Sequence, residues 1–259
     1  MYLKHKIYGK LFNLFTKFSI NDKQISFILD SSESFKGNLD YIKKEFEKRG
    51  DFQFNFFYKD KLSFSSFKRL ATSRYVFLND NFFPLAFMNF KKDTKVIQLW
   101  HAPGAFKKFG ASSDNKSRNI LGKISRNIDY LITSSDNIEE YYSEAFQINK
   151  SKIKSLGLPR ADYYFKNHNL DKLRDNFDSK YPIAKNKKIV LYAPTFRDNP
   201  ENNNVFNFLD LEKFNRELGD EYILVLRLHP KIKKFFKDKI EVNQEYVCLL
   251  YTSDAADEL

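Results

Sequence analysis

The organisation of this chain is clearest at residues 96–110, which read VIQLWHAPGAFKKFG. An apolar run with the character of a buried strand ends in Trp100-His101, and a Pro-Gly turn then leads into a basic segment. In open α/β sheets, ligands bind in the crevice beyond the carboxyl ends of the strands. We therefore expect a parallel sheet here, with His101 at its ligand-binding edge.

Strand and helix patterns alternate on both sides of this stretch. Short apolar runs predict strands at residues 24–29, 52–57, 75–78, 96–100, 130–133 and 152–156. Helical patterns lie between them at residues 38–49, 64–71, 117–127 and 137–146. This alternation predicts the α/β class, with a parallel sheet covered on both faces.

A second α/β unit is predicted after a polar stretch at residues 175–187, which has the composition of a linker. It has strands at 189–192 and 222–228 with a helix at 209–218 between them. Two or three strands are too few for a complete doubly wound sheet. We therefore predict a first domain at residues 21–180 and a partial second domain at residues 185–247.

The two ends of the chain have their own patterns. Residues 1–20 predict a basic amphipathic helix, with apolar positions at helical spacing and lysines without an acid. Such a helix either lies in the headgroup region of an anionic membrane or packs on its own domain, and both interpretations stay open. Residues 248–259 (CLLYTSDAADEL) resemble a translated sequencing adapter, so we expect the natural sequence to stop near Val247.

Charge and composition limit the function classes. The net charge of +11 fits nucleic acid, an anionic membrane or a phosphate-bearing substrate, but no nucleic-acid-binding signature accompanies it. The single cysteine, Cys248, excludes a disulfide framework, and no metal constellation is predicted. No stretch is apolar enough to cross a bilayer, and the N-terminus lacks a signal-peptide pattern. We therefore expect a protein of the cell interior that binds no nucleic acid.

His101 is the first candidate for chemistry. A histidine beside a substrate can accept a proton from a hydroxyl group. Gly104 allows close approach of the backbone, and Lys107 and Lys108 can meet phosphate oxygens. From residue 105 to 126 there are six Lys or Arg against one Asp. The alternative, a structural histidine with solvated lysines, stays open on spacing alone.

Two later segments also follow predicted strands. In LYAPTFRD (191–198), Thr195 and Arg197 stand at a turn, where Arg197 either binds phosphate or pairs with a carboxylate. In LRLHP (226–230), the proline stops the strand and turns His229 towards a crevice. Two strand-end histidines in two α/β units can converge on one cleft.

A further segment, LGLPRAD (156–162), contains a turn shaped by Gly157 and Pro159. Arg160 and Asp162 are placed to pair across it, which favours a structural role in a crevice wall.

Taken in order, these four segments resemble the CDP-glycerol:poly(glycerophosphate) glycerophosphotransferase family of teichoic acid synthesis. Residues 98–110 resemble its Trp-His motif, and GLPR (157–160), YAPTFRD (192–198) and RLHP (227–230) resemble three others. The resemblance covers about residues 25–247. It implies a GT-B-like architecture of two Rossmann-like domains, the second incomplete here.

The resemblance also implies an activity and its residues. The family transfers glycerol phosphate, or ribitol phosphate, from CDP-glycerol or CDP-ribitol to a lipid-linked acceptor and releases CMP, without a cofactor. His101 would match the general base and His229 a second catalytic histidine. Substrate contacts would come from Gly104, Lys107, Lys108, Arg160, Thr195, Arg197 and Arg227.

The resemblance has a gap and two alternatives. The family's later Asp-Tyr-Ser-Ser segment is absent, so we expect this chain by itself to be inactive. The expected location is the cytoplasmic face of the cell membrane, as a peripheral protein. A GT-B glycosyltransferase that uses a nucleotide sugar and a non-catalytic basic membrane-binding domain are the alternatives.

Overall fold

The computed structural model describes residues 2–30, 35–102, 104–194 and 209–228, together with the backbone of strand residues 247–249. The chain divides into two compact units, Met1–Lys166 and Asn167–Leu259. In the described part of the chain, no helix has the length and apolar character needed to cross a membrane.

The first unit is built on a six-stranded sheet in which every neighbouring pair is parallel. Its strands are β1 (Asn21–Leu29), β2 (Gln53–Tyr58), β3 (Ser73–Leu78), β4 (Lys95–Gln98), β5 (Tyr130–Thr133) and β6 (Ile153–Ser155). The strand order is β2-β1-β3-β4-β5-β6, so the order reverses between β1 and β3. A ligand crevice is expected beyond the carboxyl ends of the strands at such a reversal.

Helices cover both faces of this sheet. They are α1 (Leu3–Phe15), α2 (Asn38–Arg49), α3 (Phe64–Ala71), α4 (Arg118–Arg126) and α5 (Glu139–Phe146). Because successive strand residues point to opposite faces, Val76 and Leu78 join one apolar cluster and Phe77 joins the other. The prediction of a parallel sheet covered on both faces is therefore confirmed.

Helix α1 packs on its own unit. Phe12 is fully buried, and Leu11 and Phe15 pack against the same core. Leu3 and two further apolar side chains of the helix stay exposed, so the packed face is centred on Phe12. Helix α1 therefore packs on its own domain, and a second set of its apolar side chains remains exposed to solvent.

The second unit contains α6 (Leu170–Lys180), β7 (Lys188–Tyr192), α7 (Leu211–Leu218), β8 (Tyr222–Leu226) and β9 (Val247–Leu249). Its described strands form a parallel sheet in the order β7-β8-β9. Strand β9 includes two residues of the segment that resembles an adapter, and residues 250–259 lie outside the described part. The origin of that segment stays a prediction.

The predicted linker at residues 175–187 is wrong, because most of its first half belongs to helix α6. The side chain of Asn169 accepts a hydrogen bond from the backbone N–H of Lys172 and caps the helix at its start. Phe177 and Tyr181 pack against the core of the second unit. The chain divides after Lys166, earlier than the predicted boundary at residue 180. Polar composition alone did not reveal that these two aromatic side chains are partly buried.

Candidate functional site

Four charged or titratable residues follow the first four strands of the sheet. Asp30 follows β1, Lys59 follows β2, Asp80 follows β3, and His101 comes shortly after β4. Because all these strands are parallel, their carboxyl ends meet at one edge of the sheet. The side chains are in contact there, which makes this edge the candidate site.

The contacts form a line in which acidic and basic side chains alternate. Lys59 pairs with Asp30, and its Nζ also lies 2.7 Å from Oδ2 of Asp80. The other carboxylate oxygen of Asp80, Oδ1, lies 3.9 Å from Nδ1 of His101, which is too far for a hydrogen bond and becomes an ion pair when the imidazole is protonated. Burial alone would lower the pKa of Lys59, but hydrogen bonds and charges of the two aspartates outweigh it and raise that pKa. Lys59 is therefore a permanent cation that holds Asp80 beside the histidine.

The backbone that carries His101 has an uncommon conformation. Trp100 has φ of +58°, in the left-handed region that bulky residues rarely adopt. Such a residue costs about 1–3 kcal/mol and persists only where the surroundings impose it. Here the N–H of Trp100 donates to Oε1 of Gln98 (3.0 Å), and Nδ2 of Asn38 donates to the carbonyl of Trp100 (2.9 Å). Both polar side chains are buried, so they hold this conformation from inside the unit.

Two further side chains hold the same segment, which we call the His101 loop (residues 99–102). The Tyr142 hydroxyl donates to the carbonyl of Ala102, and Nη2 of Arg160 donates to the carbonyl of His101 at 2.9 Å. Burial raises the pKa of Tyr142, which keeps its hydroxyl proton available as a donor. The His101 loop is thus fixed by α2, β4, α5 and the turn after β6.

The imidazole of His101 is presented to solvent from this fixed loop. Its side chain is 52% exposed, and its ring lies 4.1 Å from the Trp100 ring, centroid to centroid. The indole is buried against Phe109 and Phe146 and therefore forms a rigid support. With Nδ1 facing Asp80, Nε2 is the ring nitrogen available to a ligand.

The basic segment after the His101 loop is accessible. Gly104 is half-buried, and Lys107 and Lys108 are exposed without an ion pair in the described residues. Arg160 does not serve the predicted pairing with Asp162 but binds the His101 carbonyl instead. Its roles in a crevice wall and in substrate binding stay predictions.

The remaining predicted site residues belong to the second unit. Arg227 follows β8, and its N–H donates to the carbonyl of Tyr192 at 3.0 Å. Thr195, Arg197 and His229 lie outside the described residues. The convergence of His229 with His101 stays a prediction.

Six residues of the site were missed by sequence reasoning. Asp30 and Lys59 are two of them, although each lies just after a predicted strand. Asp80 follows a predicted strand, so the argument that selected His101 would have selected it as well. Gln98 lies in the strand predicted at residues 96–100, and a strand pattern does not show that its side chain binds the N–H of Trp100. Asn38 and Tyr142 carry no local signal, because their contacts join residues far apart in the chain. Among the described residues, no group of three His, Cys, Asp or Glu side chains is arranged to hold a metal ion.

Comparisons with known proteins agree with the resemblance. The model of the family described as CDP-Glycerol:Poly(glycerophosphate) glycerophosphotransferase matches residues 10–259. The chain is 31% identical over 271 residues to a teichoic acid poly(ribitol-phosphate) polymerase of Bacillus spizizenii, covering 99% of this chain and 43% of the relative. It is 40% identical over 179 residues to a teichoic acid ribitol-phosphate primase of the same species, covering 66% of this chain and 46% of the relative.

A solved structure shows the same fold. The wall teichoic acid polymerase TagF matches with a TM-score of 0.76 at 21% identity, over 98% of this chain and 68% of that chain. The predicted GT-B-like α/β class is confirmed by this likeness. The chain spans about half the length of the curated relatives it matches.

Proposed function

Because this chain belongs to the CDP-glycerol:poly(glycerophosphate) glycerophosphotransferase family, we propose that the protein carrying it transfers a polyol phosphate from a CDP-activated polyol to an acceptor hydroxyl. The observation that carries this proposal is the His101 loop, which presents one imidazole at the carboxyl edge of a parallel sheet. The donor is CDP-glycerol or CDP-ribitol, since relatives named for each polyol match the chain.

The chemistry requires a base and fixed positive charge. The acceptor hydroxyl attacks the phosphorus that carries the polyol, a new P–O bond forms, and the bond to the bridging oxygen breaks to release CMP. Nε2 of His101 takes the hydroxyl proton, while Asp80 on the opposite side of the ring stabilises the imidazolium that results. Positioning and electrostatic stabilisation supply most of the catalysis in such phosphoryl transfers.

Cations near the loop suit the charge on the diphosphate. Lys107 and Lys108 are exposed close to the loop in sequence, and Arg160 is joined to the loop itself. Cations at fixed positions stabilise negative charge as it develops in the transition state. We assign the donor contacts of Thr195, Arg197, Arg227 and His229 to the second unit on the strength of the family motifs.

Helix α1 offers a surface for the membrane that would carry a lipid-linked acceptor. Leu3, Ile7 and Leu14 are 72%, 47% and 61% exposed and recur at helical spacing on one face. Exposed lysines at positions 6, 10 and 17 accompany them. This combination suits peripheral binding to an anionic leaflet, and we place the protein at the cytoplasmic face of the membrane. Serine at all three apolar positions should reduce sedimentation with anionic vesicles, and unchanged sedimentation would refute this placement.

The activity is tested in the full-length protein that carries this sequence. CMP release is measured with CDP-glycerol, CDP-ribitol and UDP-sugars side by side, with a lipid-linked acceptor. His101→Ala should lower turnover by about 10²- to 10⁴-fold, the usual contribution of a general base, and should leave the fold intact because the side chain is half exposed. Turnover of a UDP-sugar but of neither CDP-polyol would reject the proposed function. Unchanged turnover in the variant would reject His101 as the base.

The 259-residue chain by itself should release no CMP from either donor. The family's Asp-Tyr-Ser-Ser segment, which contacts the donor phosphate, is absent from this sequence. CMP release by this chain alone would contradict that expectation.

A further inference from the structure

A basic groove of about 750 Å³ lies along α4 in the first unit, apart from the His101 loop. Its walls are the outer face of α4 and the segment between α5 and β6. Within the described part of the chain, the lining contains no carboxylate and four cations, which are Arg118, Lys123, Arg126 and Lys152. Three of them, Arg118, Lys123 and Arg126, come from the stretch with six Lys or Arg against one Asp, and the proposed active site uses none of these three.

Two of these cations are committed to the protein. Nζ of Lys152 donates to backbone carbonyls at the end of α4, the shortest being 2.6 Å to Ile128. Nε of Arg118 donates to Oε1 of Gln147 at 2.9 Å, which joins the two walls. Lys123 and Arg126, in contrast, are exposed and make no ion pair or hydrogen bond through their side chains within the described part of the chain. The groove therefore presents two available cations on a scaffold that the other two fix.

The direction of the groove follows from the topology. Helix α4 leads from the carboxyl end of β4, where His101 lies, back towards the amino end of β5. Arg118 begins this helix and Arg126 ends it, a rise of about 12 Å along the helix axis. The groove thus runs from the edge of the sheet that holds the candidate site towards the opposite edge.

We propose that this groove binds the phosphodiester backbone of a polyol phosphate polymer, the acceptor or product of the transfer. This inference rests on the proposed function, because that reaction supplies such a polymer. The polymer carries a negative charge in each repeat, which matches Lys123 and Arg126, and it carries hydroxyl groups between the phosphates. Side-chain amides of Asn119, Gln147 and Asn149 line the groove and can hydrogen-bond to hydroxyls.

The lining favours this occupant over a membrane or a nucleic acid. Its only large apolar residue, Ile148, is 5% exposed, so no apolar side chain is available for insertion between lipids. Among the described residues, no aromatic side chain lines the groove, whereas single-stranded nucleic acids are bound by stacking on aromatic rings. An extended polyanion without bases is the ligand that this surface fits.

The test is a binding measurement with the full-length protein and defined, phosphodiester-linked fragments of poly(glycerol phosphate) and poly(ribitol phosphate). The variant Lys123→Glu/Arg126→Glu reverses both available cations. The matched control, Lys92→Glu/Lys154→Glu, reverses two exposed cations outside the groove lining and gives the same net charge. Anionic vesicles without polymer form a second arm, and thermal unfolding midpoints verify that both variants fold.

We expect the groove variant to bind the fragments about tenfold more weakly than the wild type, and the control to stay within about twofold. Equal weakening in both variants would show only general charge attraction and would overturn the proposal. Loss of vesicle binding with retained fragment binding would assign the groove to lipid and overturn it as well. A wild type that binds none of the fragments would also overturn the proposal.

Donor turnover is measured separately on the same wild-type sample. A wild type that binds the fragments but transfers no polyol phosphate would reject the proposed function and leave the groove as a polymer-binding surface. If the wild type transfers polyol phosphate but the two variants bind the fragments equally well, only the groove proposal is rejected.

Discussion

Asp80→Asn isolates the carboxylate that faces His101. The substitution keeps the size of the side chain and removes its negative charge. Two charges at the observed 3.9 Å interact by about 1 kcal/mol in water and by about 4 kcal/mol at an effective dielectric constant of 20. The two side chains are 52% and 26% exposed, so screening reduces the upper figure. We therefore expect the imidazolium formed during transfer to lose about 1–3 kcal/mol of stabilisation.

That loss corresponds to a roughly 5- to 150-fold lower kcat. The assay is CMP release by the full-length protein at saturating donor, with kcat and KM determined separately. Because the carboxylate acts on the proton acceptor and not on substrate binding, kcat should fall while KM for the CDP-polyol changes little. Asp80→Glu, which restores the charge, should recover part of the lost turnover.

The control is Asp22→Asn, the same substitution near the amino end of β1, at the opposite edge of the sheet. The Asp22 side chain is 84% exposed and makes one long contact, at 3.7 Å, with Arg74. Its kcat should equal that of the wild type. If kcat of Asp80→Asn stays within twofold of the wild type while the protein is folded, the carboxylate does not assist His101 and the reasoning fails. A rise in KM alone would assign Asp80 to substrate binding.

Three further substitutions test the support of the site. Tyr142→Phe removes the hydroxyl that donates to the Ala102 carbonyl of the His101 loop. It should lower the free energy of unfolding by about 1 kcal/mol and kcat several-fold. An unchanged kcat would show that the loop keeps its conformation without this hydrogen bond. Gly110→Ala forces a side chain into φ of +56° and against the Ala145 carbonyl, so denaturant unfolding should show a loss of about 2 kcal/mol or more. Lys59→Met removes a cation whose folded pKa lies above its ordinary 10.5. Because the pKa is raised in the folded state, the charge of Lys59 stabilises the protein fully below pH 10.5, and this stabilisation is lost as the pH rises through the folded pKa. The difference in free energy of unfolding between wild type and variant should therefore be large at pH 8 and should disappear at higher pH.

Local pattern predicted most of the first unit because its signals are short in range. Alternating apolar positions placed all six strands, and β4 alone ends clearly early, at Gln98, since the side chain of Gln98 binds the N–H of Trp100 and turns the backbone there. The prediction of a linker at residues 175–187 is wrong for the opposite reason, because the structure there depends on contacts between residues far apart in the chain. Helix α6 depends on Phe177 and Tyr181 packing against residues from β8, a contact that local polarity does not report.

His101 shows the same division within the site. Its place at the end of a strand, and hence at the ligand-binding edge, follows from sequence, because parallel strands bring their carboxyl ends to one edge. The sequence by itself also determined the family, since four short motifs in a set order carry it. The tertiary structure alone decided what surrounds the imidazole. Asn38, Asp80, Tyr142 and Arg160 come from four distant segments, and only the closing of the sheet and its helices brings them to one loop. Each of their contacts depends on distances through space, which spacing along a chain does not encode.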